Sequence, residues 1–270
     1  VADKGFWDSY LGFAAMLGIA VVIFVGLMGS LTLYAGMWPP LSVVESNSMQ
    51  HDDERSNLGV IDTGDLVLVQ KSDGDDIICY VEGSSIGHKT FGDHGDVIIY
   101  RPLGSDERKP IIHRAVLFLE PVGESQWRAD ALANHPPAKW SVANGDHDSM
   151  SGVLKLKEYG HASIDLELDL DRLERSSGFI THGDNNHQDG VGFVDQVQGG
   201  PSDGTLVQMQ WVVSKPVTEI PWIGSISLFV RGVNFEQVPF NSVMYTIGVL
   251  VAVVALPFGA EYGIRRLRGR

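Results

Sequence analysis

Hydrophobic positions in this chain gather into two blocks that carry no charge. Ser9 to Val44 holds no charged residue, and neither does Gln237 to Ala260. Inside the first block, Leu11 to Tyr34 is apolar on every face. A helix of that length exceeds the roughly 20 residues needed to cross the hydrocarbon core of a bilayer. It also lacks the one-sided stripe with which a helix sits on a soluble core. Met37-Trp38-Pro39-Pro40 then supplies an interfacial aromatic and a helix stop. A cleavable signal peptide fits less well. The apolar run is long for one, Asp3 and Asp8 flank Lys4 ahead of it, and two prolines follow. The second block, Asn241 to Gly259, leads to Arg265, Arg266, Arg268 and Arg270, and basic residues just past an apolar span mark the cytoplasmic side. The pattern therefore predicts cytoplasmic residues 1–10, a membrane helix over 11–36, an exterior domain over 40–238, a second membrane helix over 241–260 and a cytoplasmic tail over 261–270.

Between the blocks the period changes to that of strands. Asp65 to Gln70, Asp96 to Tyr100, Ile111 to Leu117, Leu206 to Val213 and Ile226 to Val230 each have strand length and β-branched composition. Thr63-Gly64 and His94-Gly95 mark turns ahead of two of them. Residues 121–176 are more polar and include Pro136-Pro137. Within them Ser163 to Leu170 alternates apolar and acidic in strict period two, the mark of a half-exposed strand. The expected fold class is mainly β, a β-domain anchored by two transmembrane helices, with 121–176 inserted as a lobe.

Charge adds a second layer. The 270 residues include 34 acidic and 20 basic ones, a net charge of −14, and residues 45–236 alone hold 31 acidic against 15 basic. With no basic surface left to neutralise phosphates, nucleic-acid binding is excluded as a function class. Only 8 of the basic residues are Lys. An acid-rich, Lys-poor surface stays hydrated where concentrated salt screens charge repulsion, so the composition reads as that of a halophile. The single Cys79 excludes a disulfide framework and a cysteine-built zinc site.

Three clusters carry candidate chemistry: Glu45 to His51 just after the first apolar block, His113-Arg114 inside an expected strand, and Thr181 to Asp189. A serine becomes a nucleophile only with a base to take its proton and donors to hold the oxyanion. An imidazole such as His113 titrates near neutral pH, and a carboxylate is needed to fix its tautomer. Each piece also has an ordinary reading. Ser48 could be a loop serine, His113 a satisfied core histidine, and Gly183-Asp184-Asn185-Asn186 a turn or an oxygen-rich cation site with Asp189, His182 and His187 nearby. Zinc lacks a third ligand at sound spacing.

The order of these segments resembles the type I signal peptidases, in the archaeal and endoplasmic-reticulum branch, where a His stands in place of the bacterial Lys. The series is an apolar anchor, Ser46-Asn47-Ser48-Met49, Gly64-Asp65-Leu66-Val67, Gly95-Asp96-Val97-Ile98, Ile112-His113-Arg114 and His182-Gly183-Asp184-Asn185-Asn186. The resemblance covers roughly residues 10–120 and 178–230 and points to a haloarchaeal source. It implies Ser48 as nucleophile, His113 as general base, Asp184 and Asp189 as the supporting acids with Asp195 as the fallback for the second, and Ser46 assisting the Ser48 amide at the oxyanion. The chain departs from the family at His51, often Pro, and at His182, commonly Lys. The second acid also sits five residues after the first, where the family's spacing is about six.

The implied activity is removal of signal peptides from exported proteins after small residues, without cofactor or metal. Expected partners are preproteins, the lipid bilayer and the protein translocation channel. The expected location is the cell membrane, with two spans and both termini cytoplasmic. A catalytically silent, membrane-tethered binding module of the same fold is the alternative. A cation-dependent site around Asp184, Asp189, His182 and His187 is a further rival.

Overall fold

The computed structural model describes residues 4–268, with side chains over 10–255. Val1 to Asp3 and Gly269-Arg270, parts of the expected cytoplasmic ends, lie outside the described residues. Helix α1 spans Lys4–Ala35. Its stretch Tyr10–Ala35 is long and apolar enough to cross a membrane, and its most apolar part buries nothing against the rest of the chain.

The chain then builds a mainly β domain. Its principal sheet uses β1 (Leu41–Val43) and β2 (Leu66–Lys71). After helix α2 (Tyr80–Ile86) and the small hairpin β3 (Lys89–Thr90) and β4 (Asp93–His94) come β5 (Val97–Tyr100), β6 (Ile111–Val122) and β7 (Gln126–Arg128). Residues 121–176 contribute β8 (Trp140–Asn144), β9 (Ser151–Tyr159) and β10 (Ile164–Asp169). The chain continues through β11 (Gly178–His182), β12 (His187–Gln188), β13 (Val191–Gly192) and β14 (Val212–Ile220). Helices α3 (Ser225–Arg231) and α4 (Phe240–Arg268) close it.

The principal sheet is antiparallel in the order β1-β2-β14-β5-β6-β11, with β7 paired to the far end of β6. The second sheet runs β12-β13-β10-β9-β8. Residues 121–176 supply three of the strands of this second sheet. Their strand β10 pairs with β13, which follows the Gly-Asp-Asn-Asn turn, and this pairing is parallel. One apolar core also joins the two sheets, with Val116, Leu117 and Leu119 of β6 packed among Trp127, Leu154, Ile164, Leu166 and Val194. The strict alternation read in 163–170 appears in β10, where Leu166 and Leu168 are buried and Asp165 and Glu167 are exposed.

Two expected strands are corrected. Leu206 to Val213 is mostly loop and a short turn of helix, and the strand starts only at Val212. Ile226 to Val230 is helix α3, not a strand. A five-residue apolar run is too short for its period to decide between the two states. Here Leu228 alone turns inward, while Ile226, Phe229 and Val230, spaced i, i+3, i+4, face out. Gly232, in the left-handed conformation, ends the helix by donating its N–H to Leu228 and Phe229.

Helix α4 is continuous, but its apolar part among the described side chains is Phe240–Ala255, shorter than that of α1. Its first two turns belong to the β-domain. Asn241 exchanges two hydrogen bonds with the Ser56 backbone, and Thr246 Oγ1 donates to the Trp222 carbonyl at 3.0 Å.

Candidate active site

The loop after β1 presents Ser48 from a bed of buried contacts. Met49 enters the core with Val44, Ile61, Val67, Val69 and Val97. The buried Gln50 accepts hydrogen bonds from both the amide and the hydroxyl of Thr63, at 3.0 and 2.5 Å. A polar side chain buried this way must be paired, so the Gln50–Thr63 contact fixes the loop as well as satisfying it. Ser48 itself stays partly exposed, and its Oγ lies 3.2 Å from Ser46 Oγ.

His113 enters from β6, which lies between β5 and the edge strand β11 of the principal sheet. Strand β6 is buried on both faces over residues 113–117, and alternation sends His113 to one face and Arg114 to the other. Register slips between Ile180 and Thr181 where β11 crosses β6, a bulge beside the site that re-aims the following side chains. His113 Nδ1 bonds Asp195 Oδ2 at 2.7 Å. The same oxygen accepts from Tyr100 at 2.7 Å and Thr181 at 2.6 Å. Burial disfavours the charged carboxylate, but the adjacent His113 imidazole and the hydrogen bonds from His113, Thr181 and Tyr100 outweigh it, so the Asp195 carboxyl titrates below its usual range. The adjoining Tyr100 hydroxyl is held far above its ordinary value by burial and by the Asp195 charge.

The other imidazole nitrogen faces the loop that carries Ser48. A Cβ added to Gly183 would stand 2.7 Å from His113 Nε2, 2.7 Å from the Ser48 carbonyl oxygen and 2.7 Å from Asn186 Nδ2. The imidazole and the Ser48 backbone are therefore separated by little more than the breadth of this glycine. The turn is tied to the loop directly, with the Asn185 N–H donating to the Ser48 carbonyl at 2.8 Å and Asn185 Nδ2 to the Asn47 carbonyl at 3.1 Å. Ser48 Oγ bonds Ser46 and not His113. Such contacts are often loose before substrate binds.

The acids assigned from the resemblance are redistributed. Asp184 does not meet His113. It takes two hydrogen bonds from Arg114, at 2.9 and 2.6 Å, and a third contact from His51 Nε2 at 3.1 Å. Burial opposes its charge, yet Arg114 and His51 hold its carboxyl well below the usual range. Arg114 is wholly buried, and its remaining N–H groups bond the carbonyls of Thr90, His94 and Gly95 at 3.0–3.2 Å. Asp189 is exposed, with φ 52°, in the turn between β12 and β13, away from His113. The fallback Asp195 is the residue that the fold brings to His113. β13 (Val191–Gly192) lies in the chain between Asp189 and Asp195.

The cation-site residues are likewise divided. Asp184 faces Arg114, Asp189 faces solvent, and the buried His182 bonds the Asn186 carbonyl at 3.1 Å. Burial pushes the His182 imidazole down to about 4. Among the described residues no group of three His, Cys, Asp or Glu side chains is arranged to hold a metal ion. Comparison with protein-family models and with curated proteins finds no match for the chain.

Proposed function

We propose that the protein is a membrane-bound serine endopeptidase that removes signal peptides from exported proteins. The observation that carries this reading is the His113–Asp195 pair, buried behind Gly183 with its free nitrogen toward the Ser48 loop. In the proposed reaction His113 Nε2 takes the Ser48 proton as Ser48 Oγ, turned away from Ser46, attacks the scissile carbonyl. Asp195 holds the imidazole tautomer and stabilises the imidazolium. The Ser48 amide and the Ser46 hydroxyl supply donors to the oxyanion. His113 then protonates the leaving amine, and water resolves the acyl-enzyme by the same base. The chain's own side chains suffice for each proton transfer.

The layout suits a substrate whose apolar segment lies in a bilayer. α1 ends at Ala35, and Ser48 follows 13 residues later. In this reading α4 is a second span, with both termini cytoplasmic, residues 265–270 forming the basic flank, and the β-domain outside. The exposed Ile226, Phe229 and Val230 of α3, beside the root of α4, support seating of the domain at the lipid surface. Preproteins with small residues at the cleavage site are the proposed substrates, and the translocation channel is the proposed neighbour. The acidic surface fits work in concentrated salt.

The test is cleavage of a secretory preprotein, in molar salt, by membranes carrying wild type, Ser48→Ala or His113→Ala. Cleavage at the signal junction by wild type alone supports the peptidase. Cleavage by all three, or by none with the domain folded, passes the reading to a silent tethered module.

A further inference from the structure

We infer that residues 121–176 position the nucleophile, through a stack of His161 on His51. His161 sits at the tip of the β9–β10 hairpin, and its ring lies 3.7 Å from that of His51 at an interplanar angle of 11°. His51 is three residues beyond Ser48 and its Nε2 contacts Asp184 Oδ2, so one ring touches the nucleophile loop, the Gly-Asp-Asn-Asn turn and the hairpin.

The ring has little room to leave this place. A Cβ on Gly92 would stand 2.8 Å from His51 Cε1 and 3.2 Å from Nδ1, so the β3–β4 turn closes on its edge. The hairpin tip is also braced. The Gly160 N–H donates to the Tyr80 hydroxyl at 3.0 Å, the Glu158 N–H to Asp165 at 3.2 Å, and Glu158 and Ser163 both hold positive φ. A non-glycine residue in that region costs energy, and two in one hairpin indicate a turn fixed by its surroundings. Continuity of the second sheet adds the last link, because β12 and β13, which share it with β9 and β10, directly follow the turn that carries Asp184. Reacting groups must be held to within a fraction of an ångström, and a shift of about 1 Å can lower turnover by ~10²-fold. A flat ring stacked on the segment next to Ser48 restrains that shift. His161 is a positioning residue here, since it acts through His51.

The inference takes its catalytic meaning from the peptidase reading, but its structural half can be measured alone. Full-length wild type, His161→Ala and His161→Phe would be compared in lipid nanodiscs by amide hydrogen exchange and by preprotein cleavage. His161 is exposed, so its truncation should leave the thermal midpoint close to wild type. Expected for His161→Ala are faster exchange over residues 47–53, unchanged exchange in β5 and β6, and a kcat about tenfold lower at similar KM. Phe, which can stack without hydrogen bonding, should restore both. Wild-type exchange over 47–53 in His161→Ala, or failure of Phe to restore it, would overturn the inference. If wild type cleaves nothing, the peptidase reading falls while the exchange data still decide the positioning.

Discussion

His113 Nδ1 and Asp195 Oδ2 stand 2.7 Å apart inside the domain, and Tyr100 and Thr181 donate to that same carboxylate oxygen. The aspartate that meets the His113 imidazole is therefore not in the Gly-Asp-Asn-Asn turn. It lies 11 residues beyond Asp184, across an intervening hairpin. The Asp195 amide donates to the Thr181 carbonyl at 2.9 Å, which locks the segment against β11.

Asp195→Asn should abolish most turnover in the preprotein assay, by about 10⁴-fold, because an amide here favours the wrong imidazole tautomer. Asp189→Asn, at an exposed turn, should cleave within about twofold of wild type, as surface changes away from special features are nearly neutral. Comparable losses in the two variants would break the assignment.

Asp184 and Arg114 predict a different signature. Removing one partner leaves the other charged and buried without its principal counter-charge, at a cost of about 3–5 kcal/mol. Arg114→Met should lower the thermal midpoint steeply and expose the β3–β4 hairpin, whose carbonyls Arg114 ties together. Asp184→Asn should keep part of the Arg114 contact and lose less. Circular dichroism melts of the two variants in detergent would rank them, and an unshifted midpoint in Arg114→Met would contradict the structural role.

The sequence made legible those features whose determinants are local. The 24-residue apolar run, the alternation of β10 and the strand around His113 follow from local pattern and emerge as α1, β10 and β6. Ser48, His113 and the Gly-Asp-Asn-Asn turn were also found as candidates and are gathered at one place. What was hidden depends on long-range packing. Nothing near Asp195 reveals that it faces His113, because Tyr100 and Thr181, from two other strands, complete its surroundings. The stack of His51 on His161 joins residues 110 positions apart. The helix at 225–231 is not legible in the sequence because a short apolar run carries no usable period, and the Gly at 232, which ends it in the left-handed conformation, is the one local sign.

Gly183 supplies a steric prediction. A methyl group there would collide with the imidazole nitrogen, the Ser48 carbonyl and Asn186 at once. Gly183→Ala should pry the turn from the Ser48 loop and, under the proposed peptidase mechanism, reduce kcat by about 10²-fold or more, in keeping with the effect of a 1 Å displacement. Preprotein cleavage together with exchange at the Asn185 amide reads both effects. Wild-type turnover in this variant would show that the close approach is not needed.

His182 should make the fold acid-sensitive. Its imidazole, ordinarily titrating near 6.5, is held neutral by burial down to about 4. A depressed histidine lets the unfolded chain bind a proton that the folded one refuses, so stability falls as pH drops from about 6.5 to about 4. The shift corresponds to roughly 3 kcal/mol across that window. His182→Gln, which can still donate to the Asn186 carbonyl, should flatten the decline in urea-unfolding free energy between pH 6.5 and 4.5. An unchanged slope would place the acid sensitivity elsewhere.

A group of carboxylates acts in the opposite sense. Burial raises Asp62 to about 7, Asp65 to about 6 and Glu219 to about 7, with mutual repulsion adding to the rise for Asp62 and Glu219. Backbone amides of Asn57, Trp222 and Gly59 donate to them without offsetting the burial. Asp62 Oδ1 and Glu219 Oε2 have no hydrogen-bond partner. A carboxyl raised in the folded state holds its proton more tightly there than when unfolded. Its contribution is therefore complete below about pH 4 and is lost as pH rises through about 6 to 7. At pH 8 the cluster is charged and destabilising. Asp62→Asn removes one of the charges while keeping an acceptor for the Asn57 amide, so it should raise the thermal midpoint at pH 8 by a few degrees, ~1 kcal/mol being worth roughly 2–4 °C in a chain of this size. At pH 5, where Asp62 is already protonated, the same substitution should change little. Melting curves of the two proteins at both pH values test this, and an equal shift at pH 5 and pH 8 would show that repulsion between these carboxylates is not what the substitution relieves.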